Sequence, residues 1–440
     1  MQSVVRIEWP MEPPGSQRIK DTSICVPAAT YHISSGSAGI PGSSEEIDYT
    51  IELKTVEDTS IIYFGNDWLA ENRTSSHHMA ERLCRRAPML YVECPGIRAP
   101  QATARDLRKI WRKLSAALQP PRLLHGNLWH VTLPQIPFRK LPLVAKLNLI
   151  AGRLLLKRAM RKLGFHRVIS WFVVPHPGAL AGKLGEEFVV YYCIDDYASF
   201  PGMDAEAIQR LDDDLTRRAD LVFASSARLV ERKKNLARRL HFSPHGVDAE
   251  LFGQAASADL PVAEGAARLR HPVIGFFGVL GAWIDIELLE YLAEQRPDWT
   301  FLLIGMTSTD PGRLPSLPNV VLPGPQPYRA LPRWAKAFDV AIIPYRQNQQ
   351  VLNASPLKLR EYLATGKPVV TVRTPDVERF ARHVRIADTR EEFLRELESA
   401  LGADDETSRR ERMEAVAPLT WEARADEVWR KVEDAIGSGL

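Results

Sequence analysis

From Ser60 onward the chain alternates short, wholly apolar runs with amphipathic stretches, and it does so in two successive series. A strand buried on both faces reads as an unbroken apolar run, and helices between such runs imply a parallel sheet covered on both sides. The first series predicts strands at Ile61–Phe64, Met89–Glu93, Val168–Val174, Phe188–Cys193, Leu221–Ala224 and Leu240–Ser243, with helices over Ser76–Arg86 and Asp204–Ala219. The second predicts strands at Pro272–Phe277, Thr300–Ile304, Val320–Leu322, Val340–Pro344 and Pro368–Val372. Its helices are Ile286–Gln295, Tyr328–Phe338, Pro356–Thr365 and Arg390–Leu401. A last helix, Trp421–Ile436, carries Trp421, Ala425, Val428, Val432 and Ile436 on one stripe, so it must pack on something. The expected fold class is therefore α/β, with two Rossmann-like domains facing across a cleft at the carboxyl ends of their strands. Residues 59–253 form the first domain, 271–418 the second, and 419–440 a helix tying the lobes together. The Ala-rich stretch 254–270 reads as the junction.

Residues 1–58 differ from the rest. They hold eight Ser, five Pro and four Gly with short apolar runs, too little to offset the entropy of ordering, so a disordered or irregular extension is expected, with a strand near Tyr49–Leu53. The balance of 57 basic and 54 acidic residues leaves a net charge of +3, which excludes nucleic acid as a partner on bulk charge. No apolar stretch approaches the roughly 18 residues of a membrane span, and no secretory signal opens the chain. Cys25, Cys84, Cys94 and Cys193 include no CxxC, against a zinc site or disulfide framework. A cytoplasmic protein is expected.

The densest chemistry lies in Asn353-Ala-Ser-Pro-Leu-Lys-Leu-Arg-Glu-Tyr-Leu-Ala-Thr-Gly-Lys-Pro-Val-Val370. Pro356 suits a first helical turn, Ser355 before it can cap, and Gly366 with Pro368 stops the helix. The free amides of such a start, beginning at Leu357, with the helix dipole behind them, suit a phosphate. Glu361 lies one and a half turns in and can accept from a ribose diol.

This run resembles the donor-site helix of retaining glycosyltransferases of the GT-B fold, in the large family-four group that includes teichuronic-acid and exopolysaccharide transferases. The resemblance spans about Ser60 to Glu433. It includes Tyr192-Cys-Ile-Asp-Asp-Tyr-Ala-Ser-Phe-Pro-Gly202, His245-Gly-Val-Asp248 with Phe252, Phe338-Asp-Val-Ala-Ile-Ile-Pro-Tyr-Arg346 and the closing Trp421-Glu helix. It implies transfer of a sugar from a nucleotide diphosphate, UDP being the expected nucleotide, to a glycan or lipid-linked acceptor, with retention and without metal or other cofactor. It further implies a ribose contact for Glu361. The position eight residues earlier, which contacts the donor sugar in the family, is Asn353 here in place of a glutamate. The basic pair that family members carry after the first strand of the second domain is absent from Gly275-Phe-Phe-Gly-Val-Leu-Gly281, so Arg346 and Lys358 are the expected phosphate partners.

The glycines Gly275, Gly278 and Gly281 fit a close backbone approach to the donor, with Gly281 in the binding set. They also admit a dinucleotide-binding reading, although the spacing is GxxGxxG and Phe301–Gly305 lacks a ribose-binding acid. In the first domain Asp195 and Asp196 follow the strand Phe188–Cys193, where they could orient acceptor hydroxyls or steady charge on the sugar. Asp195 joins Asn353 and Glu361 as the expected catalytic set. His78, in Arg73-Thr-Ser-Ser-His-His78, is a further acceptor-side residue, and Asp212-Asp-Asp214 reads as a solvated helix face. Residues 138–165 are basic without an acid and interleaved with Leu and Ile, which fits peripheral contact with an anionic membrane at its cytoplasmic face. A sugar-nucleotide epimerase and a non-catalytic assembly protein share the architecture.

Overall fold

The computed structural model describes residues 58–68, 73–94, 119–136 and 141–438. Residues 1–57, with the strand expected near Tyr49–Leu53, and the basic residues Arg139 and Lys140 lie outside them. The first sheet contains β1 (Thr59–Gly65), β2 (Met89–Glu93), β3 (Arg122–His125), β4 (Leu128–Thr132), β5 (Arg167–Phe172), β6 (Phe188–Cys193), β7 (Leu221–Ala224) and β8 (Leu240–Phe242). Its order is β3-β4-β2-β1-β5-β6-β7-β8, parallel throughout except where β3 runs antiparallel to β4. Side chains alternate faces along a strand. Ile61 and Tyr63 of β1 therefore enter one core with Trp171 and Tyr192, while Ile62 and Phe64 enter the other with Phe172 and Tyr191. Two apolar faces are what the unbroken runs required.

The second sheet holds β9 (Val273–Phe277), β10 (Thr300–Ile304), β11 (Val320–Gly324), β12 (Val340–Ile343), β13 (Val369–Val372) and β14 (Arg385–Ala387). The order β11-β10-β9-β12-β13-β14 is parallel throughout and reverses direction between β9 and β12. Helices that leave the two strands on opposite faces open a crevice beyond their carboxyl ends, so this reversal fixes where a ligand fits.

The connection between the sheets differs from the expected junction. Val247 and Phe252 already belong to the core of the second sheet, as do Ala263 and Ala266 of the Ala-rich stretch. The crossing is thus at His245–Asp248. There the Val247 amide donates to Leu419 O (2.9 Å) and the Trp421 amide returns a bond to Val247 O (3.2 Å). Gly246 permits this contact, because a Cβ on it would lie 2.8 Å from Trp421 Cα. The helix Trp421–Gly437 then buries Ala425, Val428, Trp429, Val432 and Ala435 in the core of the first sheet.

Two further departures have local causes. The helix expected over Tyr328–Phe338 is a 3₁₀ turn, Tyr328–Ala330, followed by a short helix Leu331–Ala335. Pro332 has no amide to donate back into a preceding turn, so the helix begins beside it. The Asp212–Asp214 face is not all solvated: Asp212 accepts from Tyr191 Oη and from Lys233 Nζ (2.6 Å), the latter almost wholly buried.

Candidate functional site

At the carboxyl ends of β9 and β10 two glycine turns meet backbone to backbone. Gly278 (φ +148°) donates to Ile304 O at 2.8 Å, and a Cβ on Gly305 (φ +144°) would fall 1.8 Å from Gly278 O. Only glycine fits either position. Lys358 lies across the first turn, its Cε 2.9 Å from where a Gly278 Cβ would stand and its Nζ 5.4 Å from the Phe277 ring centroid. The ammonium is 3.1 Å from Glu361 Oε2.

Lys358 and Glu361 stand on the helix Leu357–Thr365, ended by Gly366 in the left-handed conformation (φ +76°). No side chain caps its start. Ser355, expected as the N-cap, is turned away. The helix starts one residue later than expected, at Leu357 with Pro356 as its cap position, and the Ser355 hydroxyl donates to Asp376 Oδ2 at 2.8 Å. The same oxygen accepts from Arg360 Nη2 at 3.1 Å, an ion pair buried on both sides. A buried carboxylate beside one guanidinium needs more donors, and Ser355 supplies one. The helix is thus anchored inward through Arg360 and Asp376, while its first amides keep no side-chain partner and Lys358 and Glu361 face the crevice.

Glu361 is nearly buried. Tyr328 stands beside it, and burial together with the Glu361 charge pushes the phenol well above its ordinary range. His78, from the first lobe, stacks on Trp421 (5.0 Å, 4° between planes) and tilts against Tyr328 (5.3 Å). Burial first, then the charges of Arg82 and Arg73, lower its pKa to about 3, so the ring is neutral. Its neighbour His77 is structural: Nδ1 is 3.1 Å from the Thr74 amide and Nε2 2.9 Å from Asp67 O. Tyr328 and Trp421 were not picked out as site residues. The ring that meets both, His78, lies hundreds of positions away, and no local spacing marks them.

Arg346 is exposed beyond β12, its Nε donating to Ile284 O at 3.2 Å and its amide to Trp283 O at 2.8 Å. It has no ion-pair partner among the described residues. Gly281 serves this rim differently from the expectation. A Cβ there would meet the Trp283 ring at 2.5 Å, so the glycine makes room for Trp283.

Asn353 and Asp196 have partners that the sequence does not mark. Asn353 is 1% exposed, and its Nδ2 donates to Asp196 Oδ2 at 2.7 Å, across from the other lobe. Its Oδ1 accepts from Gln349 and its backbone oxygen from Ser226 Oγ at 2.6 Å. Asp196 Oδ2 also takes Arg232 Nη1 at 2.6 Å and the Ser199 hydroxyl. With three donors on one oxygen, that oxygen has no lone pair to offer an incoming hydroxyl. Asn353 and Asp196 therefore join the lobes. Asp195 is the more available of the two acids: Oδ1 accepts the Asp196 amide at 2.9 Å, and burial, then the Asp196 charge, raises its pKa to about 7. A hollow of about 590 Å³, lined in part by Ser199, Gln209, Arg232 and Gln349, opens beside the Asp196 bridge.

The structure thus gathers Gly278, Lys358 and Glu361 on the second lobe, brings His78 of the first lobe against Tyr328 beside them, and sets Arg346 with Gly281 on the rim. Asn353 and Asp196 are in the seam. No cluster of three or more His, Cys, Asp or Glu suited to a metal ion occurs among the described residues.

Two parallel sheets joined by a double crossing, with an uncapped helix start at the reversal point of the second, define the GT-B arrangement. Residues 271–401 match the family model Glycosyl transferases group 1, so the second lobe is a glycosyltransferase group 1 domain and the protein is a glycosyltransferase. The chain is 29% identical over 278 residues to the putative teichuronic acid biosynthesis glycosyltransferase TuaH of Bacillus subtilis (strain 168), covering 58% of this chain and 69% of that one. In fold it is similar to a sucrose-phosphate synthase from Thermosynechococcus elongatus (TM-score 0.63, 15% identity, 87% of this chain and 99% of that one). It is likewise similar to an E. coli trehalose-6-phosphate structure bound with UDP-2-fluoro glucose (TM-score 0.62, 14% identity, 85% and 99%).

Proposed function

We propose that the crevice beyond β9 and β12 binds a nucleotide-diphosphate sugar, with UDP as the nucleotide, and that the sugar passes to a glycan or lipid-linked acceptor in polysaccharide biosynthesis. The observation that carries this reading is the uncapped start of the helix Leu357–Thr365, with Lys358 laid across Gly278 and Glu361 beside it. Amides at a helix N-terminus and a nearby ammonium are what a diphosphate needs, both bound and as it leaves with developing charge. Arg346, at the rim and without an ionic partner among the described residues, can swing onto the outer phosphate. Glu361 accepts from the ribose diol, for which its bond with Lys358 opens.

On this reading transfer proceeds with retention. The bond from the anomeric carbon to the phosphate oxygen breaks, the acceptor oxygen bonds the same face, and its proton goes to the departing phosphate. The protein positions and neutralises. Asp195, at the carboxyl end of β6, orients the acceptor hydroxyl. The TuaH relative supports the polysaccharide setting, and the UDP-2-fluoro glucose complex supports the donor class.

Isothermal titration with UDP-, GDP- and dTDP-sugars, and nucleotide release with and without a lipid-linked acceptor extract, test the reading. Glu361→Ala is expected to weaken nucleotide binding about tenfold, equivalent to ~1.4 kcal/mol. Wild-type affinity in that variant would sink the assignment. Interconversion of donor sugars without any acceptor would favour an epimerase.

A further inference from the structure

The helix Pro142–Leu163 has two apolar faces. One packs on the first sheet through Gly152, Leu156, Ala159 and Met160, close enough that a Cβ on Gly152 would lie 3.2 Å from Leu133 Cδ1. The other faces water. Leu143 (70% exposed), Leu147 (46%), Ile150 (46%) and Leu154 (65%) recur at spacings of 4, 3 and 4. At ~3.6 residues per turn these four side chains fall within roughly 60° of arc, opposite the buried set. A helix with one apolar face needs one partner; this one is built for two.

The chemistry of the rim says what the second partner is. Lys146, Arg153 and Lys157 flank the stripe on one side, Arg158 and Lys162 on the other, and Arg161 continues it. No acidic residue occurs between Pro142 and Leu163. A second copy of the same face would set these cations against one another. No helix among the described residues is long and apolar enough to cross a membrane.

We propose that this face docks in the plane of an anionic phospholipid bilayer, its leucines at the acyl boundary and its cations on headgroup phosphates. The helix descends from the carboxyl edge of the first sheet, after β4, to the amino edge, where β5 begins. Gly152 lies level with Leu133, the residue after β4, so Leu143, Leu147 and Ile150 stand beyond the carboxyl edge. Docking there sets the acceptor side of the crevice against the lipid surface. The proposal rests on this helix alone and holds whichever nucleotide the other lobe binds.

The test is co-sedimentation of the full chain with phosphatidylglycerol–phosphatidylcholine vesicles and with phosphatidylcholine alone. Wild type is expected to bind the anionic vesicles at least tenfold more strongly. Leu147→Asp with Leu154→Asp, and separately Arg153→Glu with Lys157→Glu and Arg161→Glu, should each reduce that binding at least tenfold. These positions are exposed or half-exposed, so thermal unfolding and vesicle-free nucleotide binding should match wild type. Equal binding to both vesicle types, or retention of binding in either variant, overturns the proposal. So does a concentration-dependent dimer that the leucine variant dissolves while vesicle binding persists.

Discussion

The two edges that face the crevice are made from different materials. The second lobe presents mostly backbone, with Lys358 and Glu361 beside it: glycine turns pressed together at Gly278 and Gly305, and a helix start with no side-chain cap. The first lobe presents side chains: half-buried Asp195 and buried His78, with His245 behind them, whose burial holds its pKa at about 3. Backbone amides are set by the fold and do not titrate. A site of acids and imidazoles depends on long-range packing, and its charge changes with pH. Donor binding should therefore tolerate changes of condition that the acceptor side does not.

The comparison breaks most visibly at the anchor of the donor helix. Asp376→Ala leaves Arg360 buried without its partner, and loss of one member of such a pair costs about 3–5 kcal/mol. Urea denaturation should register that loss. Arg360→Met combined with Asp376→Leu should recover most of it, because the pair then leaves no orphaned charge. A smaller effect is expected at the seam. Asn353→Ala removes one donor from a carboxylate that keeps Arg232 and Ser199, and should cost about 1–3 kcal/mol in the same assay. It should leave donor affinity within about twofold, since the Asn353 amide is spent on Asp196.

The smallest effect sharpens the difference in pH response. The Asp195 carboxyl rises from 3.8 to about 7 on folding. Between those values the folded protein holds a proton that the unfolded chain releases, so this group's contribution to stability declines as pH rises through the window and is lowest above 7. Asp195→Asn should match wild type near pH 4 and gain on it by pH 8. If Asp195 orients the acceptor as a carboxylate, wild-type transfer should also climb through an apparent pKa near 7, and the variant should lose that limb. Nucleotide affinity should show no such limb in either protein.

What could be read from sequence follows the same division. Met89–Glu93, Phe188–Cys193, Leu221–Ala224, Thr300–Ile304 and Ile286–Gln295 fall at their expected bounds. Strands covered on both sides and helices with one greasy stripe leave local patterns. The edge hairpin of β3 and β4 was missed, because Arg122–His125 is short and largely exposed and lacks an apolar run. The placement of Lys358 and Glu361 near one helix start follows from local start and stop signals. The fates of Asn353 and Ser355 do not: each is decided by a carboxylate, Asp196 or Asp376, that only the tertiary fold brings near. The position count that marks Asn353 carries no information about which neighbour arrives.

The double crossing at Gly246 and Trp421 has a consequence for biosynthesis. The core of the first sheet is completed by Ala425, Val428, Trp429, Val432 and Ala435, which the ribosome makes only after the entire second lobe. Until then one flank of that early-made sheet stays wet and sticky. The second lobe can mature on its own schedule, whereas the lobe translated first is the last to close.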